Sequence, residues 1–274
     1  MKLGTLFVIL TVVFVCVLAL GGTWSWGAAA GVLVGACYVL AGALWFVNER
    51  YSVGSATWLE RHNAAVGLLN AGRIEEALAE LQRLEPESQK HPLGHATCLA
   101  NLSAGYLRKG DPDRAMELAF AGHELLPGKP KNEQQKQVAA LLRTRLAHLH
   151  ALLNVPESAH AWRERAAEAV TPNNRHMLFE TDIVLKLRAG QDAAALEQLA
   201  QDWTGAETQL YVAQLKPLRV LWAFALSRQA PGAERDARIA DLLAGARPMR
   251  AGELAYMGAR WPEFEAFLRE QGLG

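Results

Sequence analysis

ATCLANLSAGYLRKGDPDRAMELAFAGHELLPGK, residues 96–129, carries two apolar-periodic stretches that meet at Gly110. Apolar residues three and four apart on both sides of a glycine predict two helices joined by a tight break. Gly110 suits the break because glycine enters the left-handed conformation that ends a helix without a Cβ penalty. Ala115 follows five residues later. A small side chain early in the second helix lets the pair pack closely. The same relation recurs at Gly72 and Ala77, Asn154 and Ala159, Gly190 and Ala195, and Gly232 and Ala237. Successive breaks lie 38, 44, 36 and 42 residues apart. Residues 55–274 therefore read as about five helix-hairpin repeats of uneven length.

These residues resemble the tetratricopeptide repeat (TPR) family, whose pattern is W-x2-L-G-x2-Y, then A-x3-F, then P, over about 34 residues. In 96–129, Leu99, Leu102 and Tyr106 stand at the Trp, Leu and Tyr sites, and Gly110, Ala115 and Pro127 fall in place. Ser103 stands where Gly is usual and Ala119 where an aromatic is usual. The preceding unit, WLERHNAAVGLLNAGRIEEALAELQRLEP, keeps Ala65, Leu68, Gly72, Ala77 and Leu81. A third unit within 133–172 keeps Leu146, Ala147 and Ala159. Units at roughly 175–203 and 207–246 keep only the glycine-to-alanine spacing and an apolar stripe. The C-terminal WPEFEAFLREQGL, with Pro262 in its first turn, reads as a capping helix.

The resemblance implies an all-α solenoid whose first helices line a concave groove for a peptide or helix. The groove positions carried over are Leu59, His62, Val66 and Leu69, then Thr97, Ala100, Ala104 and Leu107, then Leu141, Thr144, Arg145 and His148. One subfamily clamps a C-terminal carboxylate with five residues. Asn101 and Arg145 match two of them, whereas His62, Val66 and Leu141 stand where Lys, Asn and Lys belong, which argues against a working clamp.

Upstream, residues 1–50 read as a transmembrane hairpin. Residues 3–20 form an uninterrupted apolar run with thirteen Leu, Ile, Val or Phe residues. As a helix the run spans ~27 Å, close to a bilayer's hydrocarbon thickness. Residues 27–47 form a second run, ~31 Å long as a helix. Trp24, Trp26, Trp45 and Tyr51 sit where aromatic rings favour the headgroup region. Gly27, Gly31 and Gly35 make a stripe for close helix packing, within the hairpin or in a homodimer. Lys2, Arg50 and Arg61 flank the hairpin while its linker has no charge, which predicts a multi-pass inner-membrane protein with a cytoplasmic repeat domain. A cleaved signal peptide ending near Gly21 is the competing reading.

Charge and motif content narrow the function. Residues 48–274 hold 27 basic and 28 acidic residues, because only Lys2 is charged before them. That balance gives no electrostatic reason for a nucleic-acid partner. Cys16, Cys37 and Cys98 have no metal or redox spacing and read as buried small hydrophobes. His148 and His150 are two apart, so they face different sides of a helix and should not chelate one metal. No P-loop, HExxH or nucleophile elbow is present, and no cofactor or catalytic residue is expected. The resulting expectation is a membrane-anchored adaptor or assembly factor that binds a protein partner. The alternatives are a self-assembling membrane scaffold, or an enzyme with its site in 175–274.

Overall fold

The computed structural model describes Gly42 and residues 56–274, apart from residues 170, 171, 211, 251 and 259. The chain divides into two compact units, Met1–Ser55 and Ala56–Gly274. Among its described residues the second unit holds twelve helices and no strand. Five hairpins come first: α1 (Ala56–Asn70) with α2 (Ile74–Ser88), α3 (Pro92–Lys109) with α4 (Pro112–Glu124), α5 (Glu133–Leu152) with α6 (Pro156–Ala167), α7 (Pro172–Arg188) with α8 (Asp192–Gln209), and α9 (Val212–Ser227) with α10 (Ala233–Ala246). A short helix, α11 (Ala255–Gly258), and a final helix, α12 (Pro262–Glu270), follow.

The first four breaks share one mechanism. Gly72, Gly110, Asn154 and Gly190 have φ of 73°, 91°, 61° and 71°. At Gly110, its own N–H donates to Leu107 O at 2.9 Å and the Asp111 N–H donates to Tyr106 O at 2.9 Å. The same pair of bonds closes the helix at Gly72, Asn154 and Gly190. It satisfies carbonyls that a helix end would otherwise leave unpaired. The alanines five residues on, Ala77, Ala115, Ala159 and Ala195, are completely buried between the paired helices. Ser103 fits its atypical site because its hydroxyl donates to Ala115 O at 2.7 Å across the hairpin.

The fifth break departs from the expectation. Gly232 has φ −177°, an extended conformation, and stands before α10 as its N-cap. Ala237 is exposed. The reason is loop length: α9 stops at Ser227 and α10 begins at Ala233. Gly232 therefore starts a helix and does not end one.

The last hairpin is closed by aromatic packing. Phe224 of α9 meets Trp261, Phe264 and Phe267 at ring-centroid distances of 5.4, 4.9 and 5.4 Å. These rings cover the end of the stack with α12.

The transmembrane part of the expected fold is corrected. Among the described residues no helix is long and apolar enough to cross a membrane. The longest, α5, has 20 residues but carries Glu133, Lys136, Arg143 and Arg145. The most apolar, α9, has 16 residues and carries Lys216 and Arg219. A two-helix transmembrane hairpin, and with it a multi-pass inner-membrane placement, is not supported. The runs 3–20 and 27–47, the stripe Gly27, Gly31 and Gly35, and Cys16 and Cys37 lie outside the described residues. Cys98 is buried and its thiol is pushed up to about 12 by that burial.

Candidate functional site

The first helices of successive hairpins, α1, α3, α5, α7 and α9, touch one another in order and form one layer. Arginines tie this layer together at the helix ends. Arg108 of α3 donates to Leu69 O of α1 at 2.6 Å, Arg188 of α7 donates to Leu152 O of α5, and Arg228 donates to Leu187 O of α7 at 3.3 Å. A cation at a helix C-terminus complements both the unpaired carbonyls and the helix dipole.

The layer curls until its two ends meet. Arg250, beyond the fifth hairpin, donates to the carbonyl of Gly72 in the first. Arg260 pairs with Asp113 at the start of α4 at 3.1 Å, and α11 packs on α3. The described residues of 248–261 thus lie across the inner face of the first two hairpins as an internal strap.

Several expected groove residues are used for contact between neighbouring first helices. His62 is buried, stacks on Trp58 at 4.7 Å, and meets Asn101 of α3 at 3.1 Å. Leu69 is 3% exposed and Leu107 is 2% exposed, and Ala104 is buried with them. A Cβ on Gly105 would come within 3.4 Å of Leu69 and 2.6 Å of Leu78, so α1, α2 and α3 converge tightly there. Val66 is half-buried, and Leu59 is the one expected groove leucine of α1 that stays open, at 40%.

Arg145 and His148 of α5 belong instead to a buried polar cluster with α7 and α11. His148 lies 3.3 Å from Thr181 Oγ1 and 3.6 Å from Glu180 Oε1. Burial and the Arg145 charge push His148 down to about 3, and the same causes push His176 down to about 4. Burial pushes the Glu180 carboxyl up to about 7, although Arg108 and Arg145 act against it. Burial, with Arg108 beside it, brings Arg145 down to about 10. Arg145 Nε and Glu180 Oε1 are both enclosed without a hydrogen-bond partner. Tyr256 of α11 is buried against the same charges, and its hydroxyl is held neutral. His150, by contrast, turns away and meets Phe120 edge-on at 6.0 Å.

Beside this cluster is a cavity of about 560 Å³ between the end of α1, the end of α3, α9 and the strap. A second cavity, of about 350 Å³, lies between α7 and α8. There Arg163 is already neutralised by two bonds to Asp182, at 2.9 and 2.8 Å.

Sequence reasoning missed Arg108, Glu180, Arg250 and Tyr256. Arg108 had a local signal, since Arg108-x-Gly110 and Arg188-x-Gly190 repeat the same spacing. No local signal marks the other three. Among the described residues no group of His, Cys, Asp or Glu could hold a metal ion. No protein-family model matches the chain, and no solved structure matches it.

Proposed function

We propose that the helical unit is a protein-interaction domain that binds a partner peptide or helix on its inner face, as an adaptor or assembly factor. The observation that carries this reading is the strap. Its α11 packs on the first helix α3, and its arginines tie it to the hairpin turns, Arg250 to Gly72 O between α1 and α2 and Arg260 to Asp113 at the start of α4. A surface that engages one turn-and-helix segment through side-chain and backbone contacts has the chemistry to engage another. The resemblance of 58–129 to tetratricopeptide repeats supports the same reading, because such repeats bind peptides on that face.

The strap also sets the expected behaviour. A partner competing for the inner face must displace or extend it, so weakening its anchors should favour binding. Full-length protein bearing Arg250→Ala and Arg260→Ala should co-purify more of the partner than the parent does. Equal or lower recovery in the double variant would contradict the assignment of the inner face.

A further inference from the structure

The larger cavity has an unbalanced charge inventory. Its walls include Arg108, Lys109, Lys216 and Arg250, against the carboxylates Glu75 and Glu253. Both carboxylates are already taken: Lys109 lies 3.1 Å from Glu75, and Lys216 lies 3.0 Å from Glu253. Arg108 and Arg250 both donate to carbonyls at the end of α1, those of Leu69 and Gly72. Among the described residues neither guanidinium has a carboxylate within ion-pair distance. A helix C-terminus supplies only about half an elementary charge. Two guanidinium groups on one helix end therefore exceed what the helix can neutralise.

The groups behind the cavity wall widen the imbalance. Arg145 acts electrostatically on both Arg108 and Tyr256, which line the cavity, and its Nε meets no acceptor. Among the described residues the carboxyl that acts on it is Glu180, and burial favours that group's neutral form. His148 and His176 are neutral and Tyr256 can only donate or accept as a phenol. Arg145 is enclosed while Arg108 and Arg250 reach solvent. Uncompensated buried charge is costly, and an anion held by the two cavity arginines would offset it.

We propose that this cavity is a binding site for a small ligand bearing an oxyanion, a carboxylate or a phosphate, gripped by Arg108 and Arg250. Planar guanidinium forks match the geometry of both groups. A volume of about 560 Å³ falls in the range of roughly 300 to 1,000 Å³ typical of small-molecule sites. Leu254, Met249 and Ile74 supply apolar wall beside the cations, so the ligand has room for a carbon skeleton. This site does not depend on the protein-binding reading and stands or falls separately.

The test is titration of the full-length chain with inorganic phosphate and with citrate, at an ionic strength held constant with sodium chloride. Melting temperature and binding heat are recorded. A saturable rise with either anion is expected. The more effective of the two identifies phosphate or carboxylate as the natural group. Arg250→Gln should weaken the response at least tenfold, whereas Arg175→Gln in the smaller cavity should leave it unchanged. Arg145→Met should raise the melting temperature without anion and shrink the anion-induced increment. No saturable response to either anion, or a full response in Arg250→Gln, overturns the proposal. Because Arg250 is exposed and outside the core, that variant decides the matter even if Arg108→Gln fails to fold.

Discussion

Arg250 donates a hydrogen bond to the backbone carbonyl of Gly72, a residue 178 positions earlier in the chain. That contact joins the two ends of the hairpin stack and carries the strap onto the inner face. It also places a guanidinium beside the last carbonyls of α1, where Arg108 already sits. The same closure supplies one wall of the charged cavity.

The strap's arginine anchors should yield before its buried residues Leu254, Tyr256 and Met257. Arg250 and Arg260 are exposed, and exposed polar contacts contribute little to global stability. Arg250→Ala with Arg260→Ala should speed hydrogen exchange in 248–258 while leaving α3 and α5 protected. Unchanged exchange there would show that Tyr256 and Leu254, both buried, hold the segment without the arginines.

The hairpin register can be tested at Ala115. The residue is fully buried where α3 meets α4, and its carbonyl accepts from Ser103. Ala115→Glu would bury an unpaired charge and should cost on the order of 3 kcal/mol or more. Thermal or urea unfolding measures the loss. A variant as stable as the parent would mean that the α3–α4 contact lies elsewhere.

Much of the helical order was legible because its signals are local. Gly72, Gly110, Asn154 and Gly190 each stand where the backbone turns left-handed, and the alanine that follows each is buried. Gly232 misled because glycine serves extended N-caps as readily as left-handed C-caps, and only the loop length separates them. The groove positions were harder. Leu69 and Leu107 lie on the expected inner helices, but the close approach of α1 to α3 turns them into core. Arg250 and Tyr256 sit in a stretch with no helical period, and their partners are set by tertiary closure alone.

Those two leucines now predict a loss of folding. Leu107→Ala removes a side chain packed in the main core and should cost about 2 to 5 kcal/mol, the range for buried large-to-small changes. Leu69→Glu should be at least as damaging, because it adds an unpaired charge. Equilibrium urea unfolding reads both effects. Near-parental stability would return these residues to an open groove.

The buried cluster should make stability depend on pH with two opposing signs. His148 and His176 have folded values below the usual 6.5, so their contribution is complete above about 6.5 and is lost as pH falls towards 4 and then 3. Glu180 has a folded value of about 7 against 4.5, so its contribution is present below 4.5 and is lost as pH rises to 7. Glu180→Gln should therefore raise the melting temperature more at pH 8 than at pH 5. An equal shift at both values would show that the carboxyl is not desolvated.

Site-specific photo-crosslinking in the full-length chain tests most directly whether the inner face binds another protein. A photoreactive residue is placed at Asn70 or Lys109, both at the mouth of the inner-face cavity, and in parallel at Arg83 or Glu117, exposed on the second helices α2 and α4. Crosslinks to one distinct protein partner from Asn70 and Lys109, with little or none from Arg83 and Glu117, are the predicted result. A partner captured only from the second helices, or products containing this chain alone, would contradict the account.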